Sequence, residues 1–168
     1  MLLQGGPDGP LRALGRGRRL PLDALGADPA SPHRQALKTK LKNSPSWIHY
    51  SHDMWTAPNK TAYMAIVAHF IDSDTQRVAK ALIALCEFKG THSGETMAST
   101  FLEVLNEYEI CESVGFITMD NASPNNEFMR HIARQLDPSF DPEIRRIRCF
   151  GHVLNLAVQA FLFGPKKW

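Results

Sequence analysis

Three strand-like runs follow one another with no helix between them, and this succession restricts the possible folds more than any other feature of the chain. "WIHYSHDMWT" (47–56), "AYMAIVAHFID" (62–72) and "VAKALIALCEF" (78–88) are joined by short polar links, the second of them a "SDTQ" turn. The middle run is almost continuously apolar, as a buried strand is. The third has enough Ala and Leu to suit a helix equally well. Short links between consecutive strands favour an antiparallel meander.

After the third run the period lengthens. Met97, Phe101, Leu105 and Tyr108 recur at helical spacing, with Ser93 as a candidate N-cap and Glu95 in the first turn. A buried strand, "VGFITM" (114–119), follows and ends on Asp120. A second helix is punctuated by Ser123 as N-cap, Pro124 at its first position and Asp137-Pro138 as its stop, with Phe128, Ile132 and Leu136 on one face. "IRRIRCFGHVLNLAVQAFLF" then reads as a short strand running into a largely buried helix. The order βββαβαβα describes an α/β fold, a mixed five-stranded sheet with helices packed on it.

Charge and composition divide the chain near Arg34. Residues 1–33 hold 6 of the 11 glycines and 5 of the 11 prolines, which predicts a disordered basic arm; 34–43 reads as a linker or short helix. Residues 1–42 carry a net charge of +5 against −3 for the remainder, so a basic footprint for nucleic acid is expected in the arm. Three cysteines without a CxxC pair argue for a reducing compartment, nucleus or cytoplasm, and against a disulfide framework. No apolar run approaches the roughly 20 residues that span a bilayer, so no membrane partner is expected, and the sequons at Asn59 and Asn121 read as chance matches.

The chemistry centres on two aspartates. Asp53 interrupts the first run where alternation is expected to tuck a side chain toward a core, and Asp120 ends the fourth strand, which this order can place beside the first. Two carboxylates about 5 Å apart repel by roughly 3 kcal/mol at an effective dielectric of 20, and a divalent cation between them removes that cost. Asp53 as a turn cap and Asp120 as a strand-end hydrogen-bonding residue are the plain alternatives. Cys149 and His152 supply too few ligands for a zinc site and read as a small thiol and a hydrogen-bonded histidine at a strand-to-helix junction. "GTHSGET" lacks the lysine of a phosphate-binding loop and reads as a turn; His69 and His131 read as structural histidines.

Four strings, "HDMWTAPNKTAYMAIVAHFID", "GTHSGETMASTFLEVL", "FITMDNASPNNEFM" and "RIRCFGHVLNLAVQ", stand in the order and spacing of the catalytic core of hAT-superfamily DNA transposases, which the chain resembles from about Ser44 to Phe163. The resemblance implies a ribonuclease H-like fold and a D-D-E site that uses Mg2+ or Mn2+ to cleave and join DNA. It matches Asp53 and Asp120 to the first two catalytic carboxylates and metal ligands, and Cys149 and His152 to a C-x-x-H element of the active-site region. It also implies that the third carboxylate follows a long helical insertion after that element. Every glutamate, from Glu87 to Glu143, precedes that point, and the sequence ends at Trp168. The expectation is therefore an incomplete ribonuclease H-like core over 44–168, truncated, inactive alone and weak in metal binding. DNA contact and self-association through an exposed apolar face are its expected partners, with a domesticated nucleic-acid- or protein-binding module or a transposon relic as alternatives.

Overall fold

A computed structural model describes residues 18–19, 31–88, 93–136 and 138–164. In chain order the elements are β1 (Arg18–Arg19), α1 (Pro32–Lys42), β2 (Ile48–Thr56), β3 (Ala62–Asp72), β4 (Arg77–Phe88), α2 (Gly94–Tyr108), β5 (Val114–Met119), α3 (Pro124–Gln135), α4 (Pro142–Arg145), β6 (Arg146–Arg148) and α5 (Phe150–Phe163). The sheet order is β1-β4-β3-β2-β5-β6. β2, β3 and β4 form the antiparallel meander, while β5 and β6 add in parallel on the far side of β2. The α/β fold and its five main strands are thus as the periodicities indicate. The ambiguous run 78–88 lies in a strand because Ala84, Cys86 and Phe88 alternate into the core, whereas a helix would have turned Lys80 and Glu87 through it.

Two stretches of the expected arm have regular structure. Arg18–Arg19 pairs antiparallel with Cys86 and Glu87 at the edge of β4. α1 begins at Pro32 because Ser31 caps it, its Oγ accepting the Arg34 N–H at 3.2 Å, and Pro32 lacks the N–H that a first helical position leaves unpaired. Residues 1–17 and 20–30, and with them most of the arm read as disordered, lie outside the described residues.

The core lies on one face of the sheet. Ile48, Tyr50, Met64, Ile66 and Ala68 meet Met97, Phe101, Val104 and Leu105 of α2 and Phe128, Met129 and Ile132 of α3. Phe101 stands edge-on to Tyr50 at 5.2 Å and to Phe128 at 5.4 Å, so one ring joins α2 to β2 and to α3. α1 closes this side, burying Leu41 and spending its cations internally: Lys38 and Lys42 pair with Glu109, Lys40 with Asp72, and Arg34 with Glu107. Lys38 first and Lys42 second hold the Glu109 carboxyl down at about 2. The positive charge of α1 is therefore not a free footprint for phosphate.

The reading of the last helix as largely buried is corrected, while the expected exposed apolar face is present on it. α5 buries none of its residues, and Phe150, Leu154, Phe161, Leu162 and Phe163 are exposed, Phe161 to 88%. Its apolar residues run all round the helix and suit burial between layers, but no layer among the described residues lies against it. Ser123 occupies the N-cap position of α3 with helical backbone angles and makes no capping hydrogen bond, so the start of α3 is held by other groups.

β2 and β5 meet through an irregularity. Ile48 pairs with Val114 but Tyr50 with Ile117, so β5 carries one extra residue between these pairs. The ring of His49 fills the space beside Gly115, where an added Cβ would fall 2.5 Å from its Nδ1. The Phe116 N–H donates to that same nitrogen at 3.0 Å. Beyond the bulge, Ser51 pairs with Thr118, which brings Asp53 level with Asp120.

Candidate functional site

Strand alternation decides which side chains enter the site. On β2, Ile48, Tyr50 and His52 turn into the core, and His49, Asp53 and Trp55 are exposed on the other face. The expectation that alternation tucks Asp53 inward is corrected: Ile48 and Tyr50 fix the parity, and the residue tucked inward is His52, only 4% exposed. Asp53 sits opposite Ala65 of β3, two residues before Trp55, whose ring stacks on Tyr63 at 5.7 Å.

Asp120 lies just past the last residue of β5, and its carboxylate is turned toward the first turn of α3. Asp120 Oδ1 accepts the Ala122 N–H at 3.0 Å and the side-chain amide of Asn125, a buried residue that also donates to the Asp120 carbonyl at 3.1 Å. The first N–H groups of α3 are met by main-chain carbonyls instead, the Asn125 N–H donating to Ala122 at 3.1 Å and the Asn126 N–H to Ser123 at 3.2 Å, and an acidic group near a helix N-terminus is favoured by the helix dipole. The Arg146 guanidinium donates to the same carbonyl at 3.0 Å, tying β6 to this corner.

Asp120 and His52 line one cavity of about 170 Å3, with Thr56, Met97, Pro124 and Asn125 around them. The ring of His52 lies 4.8 Å from that of Phe128, and its Nε2 is buried with no hydrogen-bond partner. Burial pushes the imidazole down to about 4, against a smaller upward pull from the Asp120 carboxylate, so the ring is neutral at pH 7. Sequence reasoning missed His52. Its signal was present in the alternation Ile48, Tyr50, His52, which counts a histidine among the inward positions.

The two sequence-predicted carboxylates are thus on adjacent, parallel strands at one level, but the cavity gathers Asp120 with His52, while Asp53 is exposed on the opposite face of β2. Among the described residues no three His, Cys, Asp or Glu side chains come together as a metal cluster. The donors present nonetheless suit one divalent cation in part: a carboxylate and a neutral, unpartnered imidazole nitrogen share one cavity.

Cys149 and His152 lie at the strand-to-helix junction, both half-buried. The Cys149 N–H donates to the Met119 carbonyl at 2.8 Å, which joins this junction through the main chain to the residue before Asp120. His69 Nε2 is 2.8 Å from Ser51 Oγ, and His131 lies 4.0 Å from Glu95, both serving as structural partners. Within "GTHSGET", Ser93 Oγ accepts the Thr96 N–H at 3.2 Å and caps α2; residues 90–92 lie outside the described residues. At the other end of the parallel strands a cavity of about 480 Å3 is lined by Trp47, Val114, Phe140 and Arg145, the guanidinium lying 3.7 Å over the indole. Nothing in the sequence pattern announced it.

Comparison with known proteins places this geometry. The family described as the ZBED1 RNase-like domain matches residues 51–142, a stretch that includes β3, β4, α2, β5 and α3 whole and both Asp53 and Asp120. Two maize (Zea mays) proteins, "Putative AC transposase" and "Putative AC9 transposase", are each 28% identical over 131 residues, 75% of this chain and 16% of theirs. "Putative transcriptional regulator tpeD" of Talaromyces stipitatus is 28% identical over 114 residues, 66% of this chain and 13% of its own. The chain thus spans less than a fifth of the length of these curated relatives.

Proposed function

We propose, for a chain that belongs to the ZBED1 RNase-like domain family and is hAT-transposase-like in sequence, a nuclear, transposase-derived module that contacts DNA and does not by itself cut or join it. The ancestral role in this reading is DNA transposition by metal-dependent cleavage and strand transfer. The observation that supports the non-catalytic part is the split of the two carboxylates, Asp120 turned into the cavity and Asp53 to solvent. A two-ion phosphoryl-transfer site needs its carboxylates converging on ions roughly 4 Å apart. Of the two aspartates, Asp120 is the one that would hold a cation in this cavity, since Asp53 is exposed on the opposite face of β2. Bound there, Mg2+ or Mn2+ would polarise a phosphoryl oxygen. What the chain's own residues do is narrower: Asn125 and the Ala122 N–H orient the Asp120 carboxylate, and Arg146 fixes the backbone beneath it.

The relative named as a transcriptional regulator supports binding without chemistry as a present-day role. No helix among the described residues is long and apolar enough to cross a membrane. The test is a gel-shift series with duplex DNA at rising salt, paired with a nicking assay in Mn2+. Retardation that weakens steeply with salt, with no nicked product, is expected. Mn2+-dependent nicking abolished by Asp120→Asn would overturn the non-catalytic reading; absence of any retardation would overturn DNA contact.

Self-association belongs to the same proposal. The exposed apolar surface of α5 exceeds what scattered surface residues present, and contiguous patches of this kind mark contact sites. Sedimentation velocity at micromolar concentration is expected to show species heavier than the 18.8 kDa monomer, and Leu154→Glu with Phe161→Glu should return the chain to monomer. A monomer in the unsubstituted chain would count against it.

A further inference from the structure

We propose that His52 Nε2 and the Asp120 carboxylate are donors to a single divalent transition-metal cation in the cavity at the N-terminus of α3. The inference deepens the site of the proposed function and rests on Asp120 being a metal ligand. It adds a nitrogen donor that the two-aspartate scheme does not contain.

His52 Nε2 is a buried polar atom without a hydrogen-bond partner, and leaving such an atom unpaired is unfavourable. With its proton on Nδ1, the neutral ring offers Nε2 as the lone-pair nitrogen, the form in which an imidazole ligates a metal. The nearest ionisable group in the cavity is the Asp120 carboxylate, which is also an acceptor. Two acceptors facing one space cannot satisfy each other. They require a donor or a cation between them.

The surroundings select among cations. The cavity, about 170 Å3, has room for an ion and several waters at roughly 30 Å3 each. The Ala122 N–H and the Asn125 amide both donate to Oδ1 of Asp120 and hold the carboxylate in place. Mg2+ demands an oxygen shell, whereas Mn2+, Co2+ and Zn2+ accept imidazole. The dipole of α3 opposes a cation, and the Asp120 charge offsets it, so the site is expected to be weak and to prefer Mn2+ over Mg2+.

The test uses the full chain and Mn2+ alone. In the unsubstituted protein, Mn2+ should broaden the ring resonances of His52 before those of the six other histidines, and its spin-echo spectrum should carry nitrogen modulation that changes on 15N-histidine labelling. His52→Asn should lose that modulation, weaken Mn2+ about tenfold or more, and erase the preference over Mg2+. Asp120→Asn should lose the modulation as well. The broadening experiment requires no substitution, so a variant that fails to fold leaves the proposal decidable. His52 resonances untouched at millimolar Mn2+, modulation that persists in His52→Asn, or an ion held by oxygen alone would overturn it, the last meaning that water satisfies Nε2. DNA left unbound while His52 still senses Mn2+ would defeat the proposed function alone. DNA retarded while His52 is indifferent to Mn2+ would defeat this inference alone.

Discussion

Phe101→Ala is expected to lower the unfolding free energy by about 3–5 kcal/mol, the cost of deleting a fully buried aromatic ring. The ring is 0% exposed and makes edge contacts with both Tyr50 and Phe128, so its loss opens a cavity at the junction of β2, α2 and α3. Collapse around that cavity is limited on one side by the hydrogen-bonded sheet. Since a domain of this size is stable by only about 5–15 kcal/mol, the variant should unfold at a much lower urea concentration. Phe101→Leu, which keeps most of the volume, should recover more than half of the loss. Equal urea midpoints for the alanine variant and the unsubstituted chain would show that α2 does not pack as described.

The second large effect is expected at Gly94, the first residue of α2. Alanine is ordinarily the better helix former by about 1 kcal/mol. Space reverses the sign here. An added Cβ would stand 2.3 Å from the Pro124 carbonyl oxygen and 2.7 Å from the Phe128 nitrogen, both backbone atoms that cannot rotate away. The two helices would have to part, breaking the bond from the Gly94 N–H to Glu127 at 3.1 Å. Overpacking costs about 1–3 kcal/mol where side chains can yield, and the upper end or more is expected where backbone must move. Because the displaced turn of α3 also holds Asn125 against Asp120, Gly94→Ala should weaken Mn2+ binding along with stability. Urea denaturation and Mn2+ titration of the same variant check both; an alanine variant as stable as the unsubstituted chain would refute the close approach.

The sequence carried the fold because its periods are local. The almost continuous apolar run at 62–72 and the 3,4 spacing from Met97 to Tyr108 each mark an element that meets the core, and the meander followed from short links. What it could not carry is phase and cover. Whether Asp53 or His52 faces inward depends on Ile48 and Tyr50 anchoring β2 through contacts with Phe101 and Ile117, residues some 50 to 70 positions away in the chain. The apolar composition of 150–163 predicts a surface that wants cover, not whether a layer lies over it, and α5 is exposed for that reason. Likewise the cations of 34–42 count in the sequence toward the net +5 of residues 1–42, and only the tertiary structure brings Glu107, Glu109 and Asp72 to them.

The extra residue at Gly115 bears on how such a chain can change over generations. A β-bulge is a place where a strand takes up a one-residue difference in length, leaving its neighbours' pairing unchanged on either side. Here it separates two ends of the same strands: Trp47, Val114 and Arg145 border one cavity before it, and His52 and Asp120 border the other beyond it. Lineages that lengthen, shorten or repurpose the first end can do so without shifting the phase of the second. The imidazole of His49, wedged where a side chain on residue 115 would stand, is the clamp that keeps this joint in place.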